Sequence, residues 1–122
     1  MAKVLLFDDD ELVRYVLSKA LWQAGHEVTQ AANGLVVTDL IEKELPDIMV
    51  TDLIMPGQEG LSTITEVHEM YPDLPIIAIS GGGRNVGTDL LDMAMYIGAN
   101  ATLTKPFDEG ELIAQIETLV GE

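Results

Sequence analysis

The side chains of this sequence that are capable of chemistry sit in four places: Asp8-Asp9-Asp10, Asp52, Ser80 and Lys105-Pro106. Each directly follows a short apolar run: KVLLF, IMVT, IIAI and ATLT. Three carboxylates gathered within a few ångströms would repel one another and raise each other's pKa unless a cation neutralised them. A hard divalent ion is therefore implied. Mg²⁺ suits the set, since it takes one or two carboxylates, keeps several waters and completes its octahedron with phosphate oxygen. A carboxylate can also attack phosphorus to give an acyl phosphate. The transferred group carries negative charge on its equatorial oxygens, so an acidic pocket must supply positive partners. Mg²⁺ can neutralise one oxygen, the Lys105 ammonium a second, and the Ser80 hydroxyl can hydrogen-bond a third. Lys105 is one of only four lysines, and its place between a strand end and Pro106 argues against a casual surface role.

Those residues act together only if the strands that carry them lie side by side. Residues 3–7 read as a strand, and the period then changes to helical over 11–24, with Val13, Val16, Leu17, Ala20, Leu21 and Ala24 on one stripe and Gly25 as the stop. A second strand over 26–32 closes on Asn33-Gly34, and a helix over 35–44 ends before Pro46. Residues 48–51 and 76–79 are apolar on both faces, as buried parallel strands must be, with a helix over 60–70 between them. A fourth helix over about 88–97 precedes a strand at 101–104. Asp108 then N-caps a last helix with Leu112, Ile113, Ile116, Leu119 and Val120 on one face. The pattern is (βα)₅, an α/β doubly wound parallel sheet covered on both sides, whose ligands sit at the carboxyl ends of the strands.

Composition narrows the function. A chain of 122 residues, 48% apolar, is one domain with a substantial core. With 21 acidic residues against six basic ones the net charge is −15, which repels nucleic acid and anionic membranes and leaves no basic stripe. Apolar stretches stay far short of the roughly 18 residues of a membrane span, so the expected location is the cytoplasm. Cysteine is absent, so any metal must be held by oxygen or imidazole. Residues 1–122 read as one domain, with no output domain expected.

KVLLFDDD, IMVTDLIMPGQEG, PIIAIS and GANATLTKPF together resemble the receiver domain of two-component response regulators, over nearly the whole chain. The resemblance implies a flavodoxin-like sheet in the order 2-1-3-4-5, the topology for which a chemotaxis regulator of this family is a standard illustration. It implies that Asp8 and Asp9 hold Mg²⁺, that Asp52 is the phosphorylated aspartate and a metal ligand, and that the backbone carbonyl of Ile54 also binds the metal. Ser80 takes the place of the switch Ser/Thr, and Lys105 that of the family's lysine. A histidine kinase or histidine phosphotransfer protein would supply the phosphoryl group, and a protein partner would receive the signal. Such a protein catalyses only its own phosphorylation and dephosphorylation, as a monomer or weak dimer.

The sequence also departs from the family pattern. Thr102 stands where an aromatic switch residue is usual, and Ser80 is followed by Gly81-Gly82-Gly83-Arg84. The stretch from Ser80 to Lys105 is longer than usual by about three residues, so an unusual loop is expected after the fourth strand.

Plainer readings stand beside these. Asp10 reads as a helix cap, and Met55-Pro56-Gly57 as a turn. His26 and His68 lie away from the strand C-termini and read as surface or packing residues. Trp22, Met93 and Met95 read as core or interface packing. The rival of another class is a small phosphohydrolase like the haloacid dehalogenase superfamily, which Asp8-Asp9-Asp10 formally fits, but that reading gives Asp52 no work. A third is a receiver-like binding module that signals without phosphorylation, against which the intact Asp8, Asp9, Asp52, Ser80 and Lys105 argue.

Overall fold

The computed structural model describes residues 1–53, 59–80 and 84–121, with the backbone alone for residues 59 and 84–89. The elements run β1 (Lys3–Phe7), α1 (Glu11–Gln23), β2 (Glu27–Ala31), a 3₁₀ turn (Gly34–Val36), α2 (Val37–Lys43), β3 (Ile48–Asp52), α3 (Glu59–Met70), β4 (Ile76–Ser80), α4 (Arg84–Ile97), β5 (Ala101–Thr104) and α5 (Glu109–Val120). All four strand pairings are parallel, in the order β2-β1-β3-β4-β5. This is the flavodoxin-like order expected.

Strand alternation builds two cores. Leu5, Phe7, Met49, Ile76 and Ala78 point to one face, where Val37 and Ile41 of α2, Ile64 and Val67 of α3 and Ala94 of α4 cover them. Val4, Leu6, Ile48, Val50, Ile77, Ile79 and Leu103 point to the other, against Leu17 and Leu21 of α1 and Leu112 and Ile116 of α5. Successive side chains of a strand face opposite sides, so a strand between two helical layers is apolar throughout. That is why β3 and β4 are buried along their whole length.

The helix starts follow capping chemistry. Asp10 Oδ1 accepts from the N–H groups of Leu12 and Val13, and Asp108 Oδ1 accepts from that of Gly110, as expected of both residues. Gly25 has φ +94° just past the end of α1, a left-handed conformation that glycine takes without the Cβ clash.

Several expectations shift. The helix expected over 35–44 is a 3₁₀ turn followed by the short α2, and α4 begins at Arg84, ahead of the expected start near 88. Trp22, Met93 and Met95 are exposed and take no part in either core, because each lies on the outer side of its helix. His26 is buried, a packing residue with partners described below, and His68 is half-buried.

Candidate functional site

Parallel pairing brings the strand ends to one edge of the sheet. Phe7 of β1 pairs with Thr51 of β3, Asp52 with Ile79 of β4, and Ser80 with Thr104 of β5. The residue that follows Phe7, the last residue of β3, the last residue of β4 and the residue that follows β5 are therefore neighbours. They are Asp8, Asp52, Ser80 and Lys105.

Asp8, Asp9 and Asp52 each place a carboxylate oxygen within 4.8 Å of the others. Asp8 and Asp52 are buried and Asp9 is exposed, so the cluster opens to solvent on one side. The ammonium of Lys105 stands 3.2 Å from Asp52 Oδ2 and 3.9 Å from Asp8 Oδ2. Lys105 is held by its own backbone, since its N–H donates to the carbonyl of Ser80 at 2.8 Å, and its peptide bond to Pro106 is cis. The N–H of Leu53 donates to the carbonyl of Ile79 at 2.8 Å, which fixes the chain just after Asp52. Ser80 is fully buried at the end of β4.

Burial pushes the Asp8 carboxyl up to about 6 from the ordinary 3.8. The Asp10 N–H, which donates to Asp8 Oδ1 at 2.8 Å, opposes the rise. The charge of Asp52 adds to the rise, Lys105 opposes it, and a hydrogen bond with the Asp52 carboxyl adds a little more. A buried acid crowded by a second acid is a site short of positive charge. Three carboxylates with only oxygen donors fit a hard cation such as Mg²⁺, which would restore the charged form of Asp8.

Two residues with a bearing on the site were not singled out by their sequence context. Gly60, in the first turn of α3, lies so close to β3 that a Cβ there would meet the carbonyl oxygen of Asp52 and would lie 2.8 Å from Leu53 Cα. A glycine inside a helical pattern costs about 1 kcal/mol relative to alanine, and that cost was the available sign of a close approach. Arg14 of α1 reaches back, and its Nη1–H donates to the carbonyl of Asp8 at 2.7 Å. Nothing in its spacing marked it. Thr102 lies in the second position of β5, half-buried, paired with Ala78. Ile54 and residues 81–83 lie outside the described residues.

The sequence model of one family, the response regulator receiver domain, matches residues 4–117. The chain belongs to that family. Its receiver domain is 33% identical over 117 residues to the DNA-binding transcriptional regulator NtrC of Escherichia coli K12, and 34% identical over 116 residues to NtrC of Azospirillum brasilense. The matches span 96% and 95% of this chain but 24% of each relative. Among solved structures, a response regulator from Chloroflexus aurantiacus superposes with a TM-score of 0.89 at 30% identity, covering 99% of this chain and 98% of that one. NtrX from Brucella abortus superposes with a TM-score of 0.90 at 26% identity, covering 98% of this chain and 27% of that one. A CheY-like receiver domain from Methanospirillum hungatei, at 23% identity and a TM-score of 0.88, shares the fold. Membership of this family sets aside the haloacid dehalogenase alternative. The receiver domain is a module of two-component signalling.

Proposed function

We propose that this receiver domain accepts a phosphoryl group on the carboxylate of Asp52, with Mg²⁺ held by Asp8, Asp9 and Asp52, and passes the signal to a protein partner by changing conformation. The donor is the phosphohistidine of a histidine kinase or a histidine phosphotransfer protein, in the cytoplasm. The observation that carries this reading is the convergence of three carboxylates and one ammonium at the carboxyl edge of a parallel sheet. Such an edge is where open α/β sheets bind their ligands.

Each residue has work that follows from its position. An Asp52 carboxylate oxygen attacks phosphorus, the P–N bond of the phosphohistidine breaks, and the electron pair returns to the imidazole. Lys105, already 3.2 Å from Asp52, is placed to neutralise one oxygen of the transferred group. Ser80, one strand over, supplies a hydroxyl. Asp8 and Asp9 hold the cation beside Asp52, and when bound it supplies charge neutralisation for the incoming phosphoryl oxygens. Beside the site, Leu12, Val13 and Val16 of α1 and the segment Lys105-Pro106-Phe107 line an apolar groove, a surface suited to the donor protein. The domain turns over no separate substrate, so its only chemistry is on its own aspartate.

The DNA binding in the name of the NtrC relatives belongs to regulators of which the matched segment is 24%. A receiver domain of net charge −15 is not itself suited to that task.

The test is labelling. Incubation with Mg²⁺ and a phosphorylated kinase or a small acyl phosphate should add one phosphoryl group at Asp52, read by mass spectrometry of the peptide after hydride reduction of the acyl phosphate. Asp52→Asn should abolish the label, because an amide is a poor nucleophile. Undiminished labelling of that variant would reject the assignment.

A further inference from the structure

Arg14 is a cation on the first helix that is spent inside the domain. The residue is half-buried, with Nη1–H donating to the carbonyl of Asp8 at 2.7 Å and Nε–H donating to Gln30 Oε1 of β2 at 3.3 Å. The first distance is short, as expected for a charge-assisted bond. The acceptor matters more than the length. That carbonyl belongs to the peptide joining Asp8 to Asp9, and its orientation fixes ψ of Asp8 and φ of Asp9, hence the directions in which the two carboxylates leave the chain.

We propose that Arg14 is a positioning residue, which locks the Asp8–Asp9 peptide so that both carboxylates are presented to the divalent cation. This rests on the metal reading given above. Three bonds fix that turn: Asp8 N–H to the carbonyl of Ala31 at 3.2 Å, Asp10 N–H to Asp8 Oδ1 at 2.8 Å, and Arg14 to the carbonyl of Asp8. The first two hold the residues on either side. Among the bonds of the described residues, only the third holds the peptide plane between them. Gln30 orients the guanidinium in turn, so the edge strand β2 contributes to a site that none of its own residues enters. Arg14 bonds the backbone carbonyl of Asp8 and not its carboxylate, so its influence runs through backbone geometry. A lysine could replace the charge, but its single nitrogen cannot span the two acceptors as the separate Nε and Nη1 of the planar fork do.

The test compares wild type, Arg14→Met and Arg14→Lys. Methionine keeps an unbranched apolar stem and removes every donor. Mg²⁺ affinity is measured by calorimetry, labelling of Asp52 by a small acyl phosphate at saturating Mg²⁺, and protection of the Asp9 and Asp10 amides by hydrogen exchange without metal. Outer residues that orient metal ligands are worth about 10-fold to 100-fold in metal affinity, and about 10-fold is expected for Arg14→Met. The maximal labelling rate should be retained, protection at Asp9 and Asp10 should fall before any metal is added, and Arg14→Lys should recover part of the affinity. A role in helix packing alone would lower the melting temperature and leave Mg²⁺ affinity unchanged, which would overturn the proposal. If Arg14→Met does not fold, Gln30→Leu is the substitute, and it should weaken Mg²⁺ binding in the same direction by a smaller factor. Unchanged affinity in that variant would likewise overturn it. Failure of the metal reading has a different signature, since wild type itself would then bind no Mg²⁺.

Discussion

Lys105 and Asp52 face each other across the end of the sheet, with the ammonium nitrogen 3.2 Å from Asp52 Oδ2 and Asp8 Oδ2 standing 3.9 Å from the same nitrogen. One cation thus serves two acids before any metal arrives. The carboxylates are almost wholly buried and the lysine is about one-third exposed, so the pair is screened on the lysine side only. Lys105→Met should lower metal-free stability at neutral pH by about 1.5–3 kcal/mol, the range for losing a hydrogen bond to a charged group. Lys105→Arg should recover much of that stability but little of the labelling of Asp52, because a planar fork cannot take the place of a compact ammonium. Urea unfolding and mass spectrometry of the labelled peptide measure the two effects separately. Equal recovery of both would mean that the lysine serves only as a counter-charge.

The acid crowding predicts an unusual pH profile. The Asp8 carboxyl is raised to about 6 in the folded chain from 3.8, so the folded state holds its proton more tightly than the unfolded state. Its contribution to stability is fully present below 3.8 and is lost as pH rises through about 6. The difference corresponds to on the order of 3 kcal/mol at neutral pH. Metal-free protein should therefore melt at lower temperature at pH 7 than at pH 5, and Asp8→Asn should flatten that slope and raise the melting temperature at pH 7. Mg²⁺ affinity should fall on acidification through about 6, as the proton competes with the metal. Melting curves between pH 4 and 8, with and without Mg²⁺, test all three.

Two glycines in helices should respond to alanine in opposite ways. A Cβ on Gly60 would meet backbone atoms of Asp52 and Leu53, which cannot yield. A Cβ on Gly110 would meet only the Asp108 carboxylate, at 3.5 Å, an ordinary contact. Alanine gains about 1 kcal/mol of helix propensity over glycine at either place. At Gly110 that gain should appear as a higher melting temperature. At Gly60 the clash is with backbone, so the overpacking cost falls toward the upper end of about 1–3 kcal/mol and outweighs the gain. Gly60→Ala should therefore lower the melting temperature and slow labelling at Asp52, whose carbonyl it displaces. A neutral Gly60→Ala would mean that α3 can slide away from β3.

What could be read from the sequence was whatever a single strand or helix decides by itself. β3 and β4 announce themselves because two helical layers demand apolar residues on both faces, and their terminal Asp52 and Ser80 follow by position alone. Asp10 and Asp108 were legible as caps because capping is local. The start of α4 was misplaced because Gly83, Arg84 and Asn85 lack an apolar period, so the pattern begins several residues into the helix. The 3₁₀ turn at Gly34–Val36 was merged with α2 because three residues are too few to show a period. Arg14 and Gly60 were missed for a different reason. Each is explained by a backbone atom of another segment, and side-chain patterns carry no record of that atom.

His26 shows the same limit, since its reading as a surface or packing residue gave no sign of its partners. It is buried at the edge of the sheet opposite Asp52, where Nδ1 accepts the N–H of Ala2 at 3.0 Å and Nε2 lies 3.3 Å from Glu117 Oε2. An acceptor at Nδ1 puts the ring proton on Nε2, which donates it to Glu117. Nitrogen chemical shifts of the ring would report that tautomer directly. His26→Leu should strand the buried Ala2 N–H and cost about 1–3 kcal/mol. His26→Asn, whose Oδ1 falls near the position of Nδ1, should cost less. The contrast separates the hydrogen bond from the volume: if the two variants were equally destabilised, the ring would matter for packing, and its bond to Ala2 would add nothing. Neither variant should change Mg²⁺ affinity, because the histidine lies at the far end of β1 and β2 from the acids.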